Sequence, residues 1–241
     1  MLEALRADAA HAGLLLDFDG TLAELVARPE LAQPAPGARE ALAALVSSYA
    51  VVAVITGRRA EEVAALLGVD GLRYEGLYGM QDAAPELALA LLPRVEAAAA
   101  AEPAAWVEDK GASLAVHYRQ AEDPQVARSR LIAALAPVAA SAGLELVEGK
   151  RVVELVPPGR PRKGETVERL AGELALGAVL YAGDDLADAD AFDAMDRLHA
   201  RGVATVKVAV RGDETPSELL DAADLVVEGP AGLVDLLRGL A

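Results

Sequence analysis

Two aspartates stand two positions apart at the end of a short apolar run, in residues 14–22 (LLLDFDGTL). The leucines predict a buried strand, and side chains at positions i and i+2 of an extended chain point the same way. Asp17 and Asp19 can therefore converge on one reacting centre, where Gly20 permits a sharp bend and Thr21 offers a hydroxyl to the turn. Taken by itself, the stretch is equally typical of an acidic turn that follows a strand.

Three more polar stretches stand at the ends of predicted strands or the starts of predicted helices: Thr56-Gly57, Lys163 and Asp184-Asp185. Each has an ordinary explanation, because threonine and aspartate cap helices and most lysines are solvated. The combination of these stretches with Asp17 and Asp19 has no such ordinary explanation. Four aspartates and a lysine at one sheet edge would repel one another or stay unpaired without a divalent cation and an anionic ligand. The set therefore indicates phosphoryl-transfer chemistry.

In that chemistry Asp17 is the predicted nucleophile, which forms an aspartyl-phosphate. Asp19 is the predicted general acid for the leaving alkoxide and then the general base for the attacking water. Thr56 and Lys163 are predicted to hold the phosphoryl oxygens as charge redistributes.

The predicted metal is Mg²⁺, a hard cation that takes carboxylate oxygens and keeps water and phosphate as its other ligands. Its predicted protein ligands are Asp17, Asp19 and Asp184. We further predict that Asp185 orients Lys163 or a metal-bound water. The shell around the metal and the phosphate is predicted to contain Gly20, Thr21, Gly57, Asp185 and Asp188.

The apolar runs predict the scaffold that brings these stretches together. Strand-like runs alternate with helical patterns, which is typical of an open parallel sheet, and ligands collect at the carboxyl ends of such strands. From about residue 82 the pattern changes to alanine-rich helices and strands joined by short turns. We therefore predict an α/β fold, with a Rossmann-like doubly wound parallel-sheet core at 1–81 and 159–241 and an inserted α+β domain at 82–158.

Composition limits the classes of partner. The 241 residues carry 22 Lys and Arg against 38 Asp and Glu, a formal net charge of −16, which disfavours nucleic acid and anionic membrane. The chain has no cysteine, so disulfides, thiolate zinc sites and a cysteine nucleophile are excluded. The first residues do not resemble a signal peptide, and the apolar runs are far shorter than the ~20 residues of a membrane span. We expect a cytoplasmic monomer.

The same motifs carry a family resemblance. DFDGTL (17–22), TGR (56–58), Lys163-Gly164 and GDD (183–185) resemble, in order, the four motifs of haloacid-dehalogenase (HAD) phosphatases. KGASLAVHYR (110–119), EGKRVVEL (148–155) and GDDLADADAF (183–192) resemble trehalose-6-phosphate phosphatases. The chain departs from the usual pattern at Ala187 and Ala189, and it has GLYG at 76–79 where the family commonly has Gly-Leu-His-Gly.

The resemblance implies a HAD fold whose inserted domain is a mobile cap that closes over a sugar. The polar residues of that insert are then the expected substrate contacts: Lys110, His117, Arg119, Glu148, Lys150 and Glu154. Arg58 is expected near the cleft, either as a further substrate contact or in a structural pair. The implied activity is the Mg²⁺-dependent hydrolysis of a phosphorylated disaccharide, trehalose 6-phosphate, to trehalose and phosphate, as part of trehalose biosynthesis.

Other activities remain open at the level of sequence. A HAD phosphatase that acts on sucrose phosphate or a mannosyl phosphate would carry the same core motifs. A phospho-accepting receiver module also uses clustered aspartates, a threonine and a lysine on a doubly wound fold. A receiver, however, needs neither a second carboxylate placed as Asp19 is nor an inserted domain of more than 70 residues, such as the one predicted at 82–158.

Overall fold

The computed structural model describes residues 2–80 and 85–241, which divide into two compact units. The described residues within 1–79 and 161–241 form one unit, and those within 80–160 form the other. The predicted start of the inserted domain, residue 82, falls outside the described residues. In this part of the chain every helix is too short or too polar to cross a membrane.

Ten strands occur within the described residues. In chain order they are β1 (Ala12–Leu16), β2 (Val51–Ile55), β3 (Arg73–Glu75), β4 (Trp106–Asp109), β5 (Leu114–His117), β6 (Glu145–Gly149), β7 (Val152–Val156), β8 (Ala178–Gly183), β9 (Ala204–Arg211) and β10 (Leu225–Glu228). The α-helices of the same residues are α1 (Leu2–Ala7), α2 (Ala38–Leu45), α3 (Ala60–Leu67), α4 (Pro85–Ala99), α5 (Pro124–Ala142), α6 (Lys163–Glu173), α7 (Leu186–Ala200), α8 (Ser217–Ala222) and α9 (Gly229–Arg238).

The first unit contains a six-stranded sheet of order β10-β9-β8-β1-β2-β3, and every pair in it is parallel. Strand β1 lies at its centre, hydrogen-bonded to β2 and β8, and all five of its residues are buried. A run that is apolar at every position is what a strand covered on both faces requires. The predicted parallel α/β core is thus confirmed.

Successive residues of β1 face two different hydrophobic clusters. Leu14 and Leu16 belong to the cluster that contains residues of α2 and α9, whereas Leu15 belongs to the one that contains residues of α6 and α7. This alternation follows from the two-residue period of a strand. It makes the sheet doubly wound and leaves its carboxyl edge as the place where loops and side chains can meet.

The second unit contains an antiparallel sheet of order β4-β5-β7-β6. Leu114 and Val116 of β5 and Val153 and Leu155 of β7 share one cluster with residues of α4 and α5, so these helices cover one face of the sheet. Separate helices and an antiparallel sheet give the predicted α+β class.

Two local features shape the ends of these elements. The turn between β6 and β7 contains Arg151, which takes the left-handed conformation with φ of 56°. Helix α9 begins at Gly229, and Pro230 occupies its first turn, where a missing N–H costs nothing.

Candidate active site

Three polar stretches from distant parts of the chain meet at the carboxyl edge of the parallel sheet. Asp17 directly follows β1, Thr56 follows β2 and Asp184 follows β8, and β1 pairs with both of the other strands. The backbone N–H of Asp17 donates to Ala182 O at 2.9 Å, which continues the ladder into the loop. All three side chains are buried.

Lys163 enters this edge from the first turn of α6. Its Nζ lies 2.8 Å from Asp17 Oδ1 and 2.6 Å from Asp188 Oδ1, and its side chain is only 3% exposed. The start of α6 is held by Asp190, whose carboxylate accepts from the backbone N–H of Gly164 at 2.8 Å. A Cβ at position 164 would lie 2.4 Å from Asp190 O, so glycine permits this close approach of α6 to α7.

Asp188 is the anchor of the lysine. Its Oδ1 accepts from Lys163 Nζ and from the hydroxyl of Tyr181, each at 2.6 Å, and its Oδ2 accepts from the backbone N–H groups of Asp184 and Asp185, each at 2.8 Å. Four donors satisfy a carboxylate that is completely buried. The residue that orients Lys163 by direct contact is thus Asp188.

Asp185, which we predicted to orient Lys163 or a metal-bound water, caps a helix. Its side chain accepts from the backbone N–H groups of Ala187 and Asp188 and forms a capping box at the start of α7. Such a cap satisfies two of the amides that a helix leaves open at its N-terminus.

The electrostatics of the cluster follow from its burial. Burial raises the pKa of Asp17 well above the ordinary value, and the charges of Asp188 and Asp184 add to the rise while Lys163 opposes it. Burial alone would lower the pKa of Lys163, but Asp17 and Asp188 outweigh it and the pKa of the lysine lies well above its usual range. For Asp188, burial favours the neutral form, yet Lys163 holds its pKa below the ordinary value.

Asp17, Asp184 and Asp188 each offer a carboxylate oxygen, and these oxygens all lie within 4.8 Å of one another. The two oxygens of Asp188 already accept four hydrogen bonds, so Asp17 and Asp184 are the better metal ligands. One lysine cannot neutralise three buried carboxylates, and an uncompensated buried charge is costly. A hard divalent cation with oxygen ligands fits this donor set.

The turn after β1 closes tightly on Asp184. Gly20 has φ of +86°, and a Cβ there would lie 2.0 Å from Asp184 Oδ2. The hydroxyl of the next residue, Thr21, donates to Asp184 Oδ1 at 3.1 Å. Both residues that we predicted for the shell around the metal therefore contact a predicted metal ligand.

Asp19 does not share the carboxylate cluster of Asp17 and Asp184. Its Oδ2 accepts from Arg58 Nε and its Oδ1 from Arg58 Nη2, both at 2.7 Å, while Arg58 Nη1 donates to Pro29 O at 2.9 Å. The side chain of Asp19 is thus placed by an arginine, and its role as a metal ligand stays a prediction. Arg58, predicted either at the substrate or in a structural pair, is paired with the predicted acid–base.

The loop after β2 carries Thr56 and Gly57. Thr56 is buried, and its Oγ1 accepts from the backbone N–H of Arg58 at 3.1 Å, which leaves the hydroxyl proton available to a ligand. Gly57 lies against a residue that we did not predict for the site: a Cβ at position 57 would come within 2.7 Å of the Tyr78 hydroxyl.

Tyr78 and its neighbour Leu77 have left-handed backbone conformations, with φ of 59° and 50°. Side-chain-bearing residues adopt this region at a cost of about 1–2 kcal/mol each. In the sequence the only signal of Tyr78 is its departure from the common Gly-Leu-His-Gly pattern.

Within the second unit, several predicted sugar contacts share the sheet face opposite to the helices. His117 and Glu154 lie on this face by register, because Glu154 pairs with Ala115 two residues before His117. His117 Nε2 lies 2.7 Å from Glu108 Oε2, and its ring stacks on Trp106 with 4.2 Å between centroids. Glu154 accepts a short hydrogen bond from Ser113, and Lys110 Nζ lies 3.6 Å from Glu154 Oε2.

The remaining three predicted contacts are placed differently. Glu148 lies opposite the core residue Val153 and forms a two-point ion pair with Arg128 of α5, so it belongs to the helix side of the sheet. Arg119 Nη2 donates to the backbone carbonyl of Lys150 at 3.2 Å, which joins these two residues at the turn between β6 and β7. The structure thus separates Glu148 from the face of His117 and Glu154.

Known proteins with similar sequences include several named trehalose-phosphate phosphatases. A trehalose-phosphate phosphatase of Mycobacterium ulcerans is 34% identical over 248 residues, which covers 95% of this chain and 61% of the relative. A trehalose-phosphate phosphatase of Mycobacterium leprae is 36% identical over 220 residues, which covers 80% of this chain and 50% of the relative. An uncharacterised glycosyl hydrolase of Mycobacterium tuberculosis is 39% identical over 203 residues, covering 76% of this chain and 15% of that protein. The chain therefore spans less than two thirds of the length of each of these relatives.

Solved structures share the fold. The C-terminal domain of the trehalose-6-phosphate phosphatase of Candida albicans superposes with a TM-score of 0.81 at 20% identity, over 100% of this chain and 96% of that one. A haloacid dehalogenase-like hydrolase from Bacteroides thetaiotaomicron superposes with a TM-score of 0.61 at 14% identity, over 96% of this chain and 100% of that one. The predicted HAD fold is thus confirmed.

The trehalose-phosphatase family model matches residues 15–88 and 92–224. These ranges include the strand-end loops that carry Asp17, Thr56 and Asp184, the start of α6 with Lys163, and almost all of the second unit. The chain belongs to the trehalose-phosphatase family.

Proposed function

We propose that this chain hydrolyses trehalose 6-phosphate to trehalose and inorganic phosphate with the help of Mg²⁺. The observation that carries the proposal is the position of Lys163 Nζ, 2.8 Å from Asp17 Oδ1 in a buried cluster that also contains Asp184. This arrangement keeps a carboxylate beside a fixed cation, as the attack on a phosphorylated substrate requires. Family membership supports the substrate class.

In the first step a carboxylate oxygen of Asp17 attacks phosphorus and the ester P–O bond breaks. Asp19 donates a proton to the departing sugar oxygen, so trehalose leaves as a neutral alcohol and Asp17 carries the phosphoryl group as an acyl-phosphate. Because both oxygens of Asp19 accept from Arg58, one of them must release the guanidinium to carry the proton, while the other keeps the hydrogen bond that orients the side chain.

In the second step a water molecule attacks the same phosphorus atom. Asp19 now accepts a proton from that water, the bond between phosphorus and the Asp17 oxygen breaks, and inorganic phosphate leaves. Asp17 returns as a carboxylate and Asp19 returns protonated, so the cycle consumes only water.

Three groups stabilise the negative charge of the phosphoryl oxygens. Lys163 supplies a fixed positive charge, and the Thr56 hydroxyl donates a hydrogen bond. Asp17 and Asp184 would hold Mg²⁺, which neutralises the repulsion between an attacking carboxylate and an anionic ester. Asp188 positions Lys163 by accepting a hydrogen bond from its ammonium, and Thr21 positions Asp184 by donating one to its carboxylate.

Sugar recognition is assigned to the second unit, which we propose to act as the cap of the enzyme. Lys110, His117 and Glu154 share one sheet face and alternate donors with acceptors, which suits the hydroxyls of a disaccharide. Arg119, Lys150 and Glu148 remain predicted substrate contacts that would have to exchange their present partners. The proposed working form is a cytoplasmic monomer, which light scattering and cell fractionation would test.

The decisive experiment is the release of phosphate from a panel of esters, with Mg²⁺ and with EDTA. The panel contains trehalose 6-phosphate, sucrose 6-phosphate, a mannosyl phosphate, glucose 6-phosphate and p-nitrophenyl phosphate. We expect the highest kcat/KM for trehalose 6-phosphate and loss of activity in EDTA. A higher kcat/KM for another sugar phosphate would overturn the substrate, and a long-lived phosphorylated Asp17 without turnover would overturn the phosphatase activity.

A further inference from the structure

The loop that follows β3 (76–79) holds a strained turn at the edge of the active site. Leu77 and Tyr78 have φ and ψ of 50° and 36°, and of 59° and 27°, in the left-handed region that favours glycine. Two such residues in succession persist only where surrounding contacts impose them, and strain of this kind is concentrated at functional sites.

The contacts that impose this turn come from the site itself. The backbone N–H of Tyr78 donates to Thr56 O at 2.9 Å, and that of Leu77 donates to Arg58 O at 2.9 Å. The Thr166 hydroxyl, in the first turn of α6, donates to Tyr78 O at 2.7 Å. The turn is therefore tied both to the loop that bears Thr56 and to the helix that begins with Lys163.

These constraints place the phenol ring of Tyr78 between two phosphate-binding groups. Its centroid lies 5.8 Å from Lys163 Nζ, within the range of a cation–π contact. Its hydroxyl lies so close to Gly57 that a Cβ there would approach it to 2.7 Å. Tyr78 is partly exposed, so the ring forms a wall of the site and is not core packing.

We propose that Tyr78 is a phosphate-binding residue whose hydroxyl donates a hydrogen bond to a non-bridging oxygen of the bound ester, on the Gly57 side of the site. A phenol is a neutral donor, so it adds a hydrogen bond to a dianionic ligand without altering the charge that Lys163 and the metal must balance. The ring at the same time limits the movement of the Lys163 ammonium. This inference rests on the proposed function only in taking Thr56 and Lys163 as phosphoryl ligands.

The test compares Tyr78→Phe, which keeps the ring and removes the hydroxyl, with Tyr49→Phe as a matched control. Tyr49→Phe also removes a phenol hydroxyl, which in this case donates to Leu240 O in the core of the same unit. The two probes are inorganic phosphate and p-nitrophenyl phosphate. The affinity for phosphate is measured by competitive inhibition of p-nitrophenyl phosphate hydrolysis and by calorimetry with Mg²⁺ present.

For Tyr78→Phe we expect an increase of about tenfold in the Kd of phosphate and in the KM for p-nitrophenyl phosphate, since hydrogen bonds to charged ligands contribute on this scale. Tyr49→Phe should leave both unchanged. Phosphate affinity in Tyr78→Phe equal to that of the wild type would overturn the proposal, and so would a wild-type protein that binds no phosphate.

A second variant covers the case in which the strained turn does not accept phenylalanine. Asparagine is tolerated in the left-handed region, so Tyr78→Asn should fold and should show the same loss of phosphate affinity. Because neither probe contains a sugar, the outcome is separate from the substrate assignment. A protein that rejects trehalose 6-phosphate but loses phosphate affinity on Tyr78→Phe would contradict the proposed function alone.

Discussion

Arg58 and Asp19 form a two-point salt bridge in which both oxygens of the carboxylate accept from one guanidinium at 2.7 Å. The arginine is almost fully buried and also donates to Pro29 O, so its own position is fixed. A planar guanidinium holds a carboxylate in one orientation, which a lysine cannot do. The predicted acid–base of the site is thus positioned by a residue 39 positions away.

Arg58→Lys is therefore expected to lower kcat by about ten- to a hundredfold with a smaller effect on KM, because Asp19 loses its fixed orientation while substrate ligands remain. Steady-state kinetics with p-nitrophenyl phosphate measures both constants. Arg39→Lys is the matched control, since Arg39 also makes two hydrogen bonds, to Leu66 O, on the exposed surface. Equal losses in the two variants would contradict the positioning role.

Asp17→Asn should abolish turnover, with a loss of at least about a thousandfold in kcat, because an amide oxygen is a poor nucleophile for phosphorus. Circular dichroism should report an unchanged fold, since the replacement keeps the shape of the side chain. The exposed Asp221 of α8 provides the control Asp221→Asn, which should retain wild-type activity. Turnover in Asp17→Asn within tenfold of the wild type would exclude Asp17 as the nucleophile.

Gly20→Ala combines an unfavourable φ with a direct overlap, because the new Cβ would lie 2.0 Å from Asp184 Oδ2. The conformational part lowers the free energy of unfolding by about 1–2 kcal/mol, and the overlap displaces Asp184 in addition. We expect urea unfolding to show a loss of stability larger than the conformational part alone, and calorimetry to show loss of Mg²⁺ binding. Gly202→Ala, with φ of +92° and nothing within 4 Å, should show only the conformational part and should leave Mg²⁺ binding intact.

The raised pKa of Asp17 makes the stability of the metal-free protein depend on pH. Burial is the main cause, so the native state retains a proton that the unfolded chain releases. As pH rises from the ordinary aspartate range through the raised pKa, the free energy of unfolding should therefore fall. Asp17→Asn should remove this fall, and Mg²⁺, which binds the ionised carboxylate, should oppose it in the wild type. Urea unfolding in EDTA at a series of pH values measures this dependence. A free energy of unfolding that rises with pH in the wild type but not in Asp17→Asn would refute the raised pKa of Asp17.

The opposite pKa shifts of the partners act in other pH ranges. The lowered pKa of Asp188 contributes stability that is present above the ordinary aspartate value and is lost as pH falls through the native pKa. The raised pKa of Lys163 contributes stability that is lost only when pH rises through a value well above that of an ordinary lysine. The effect of Asp17 on stability is thus measured at pH values just above the ordinary pKa of aspartate.

His117→Ala should lower kcat/KM for trehalose 6-phosphate far more than for p-nitrophenyl phosphate, because the imidazole lies on the sheet face assigned to the sugar. A difference of about tenfold or more between the two substrates is expected for the loss of a polar sugar contact. Arg94→Ala is the control, since Arg94 lies exposed on α4 and donates to Ser141 on the helix side of the unit. Equal losses on both substrates would contradict sugar recognition by this face.

Much of this protein follows from its sequence alone. Residues 14–16 and 178–182 are apolar at nearly every position, which requires a strand buried on both faces, and parallel strands bring their carboxyl ends to one edge. That rule is enough to place Asp17, Thr56 and Asp184 together without any knowledge of contacts. The family follows equally from the order and spacing of the motifs.

The partner of each side chain was decided by the tertiary structure. Asp185 and Asp188 are three residues apart at the start of one helix, and the sequence alone does not show which of them contacts Lys163. The residue at the N-cap uses its carboxylate on the helix amides, whereas the residue in the first turn reaches back to Lys163. Asp19 with Arg58, and Tyr78 beside Gly57, likewise depend on loops that only the closed sheet edge brings together. Local periodicity determines where a chain turns, but long-range packing determines which of two nearby carboxylates faces a buried cation.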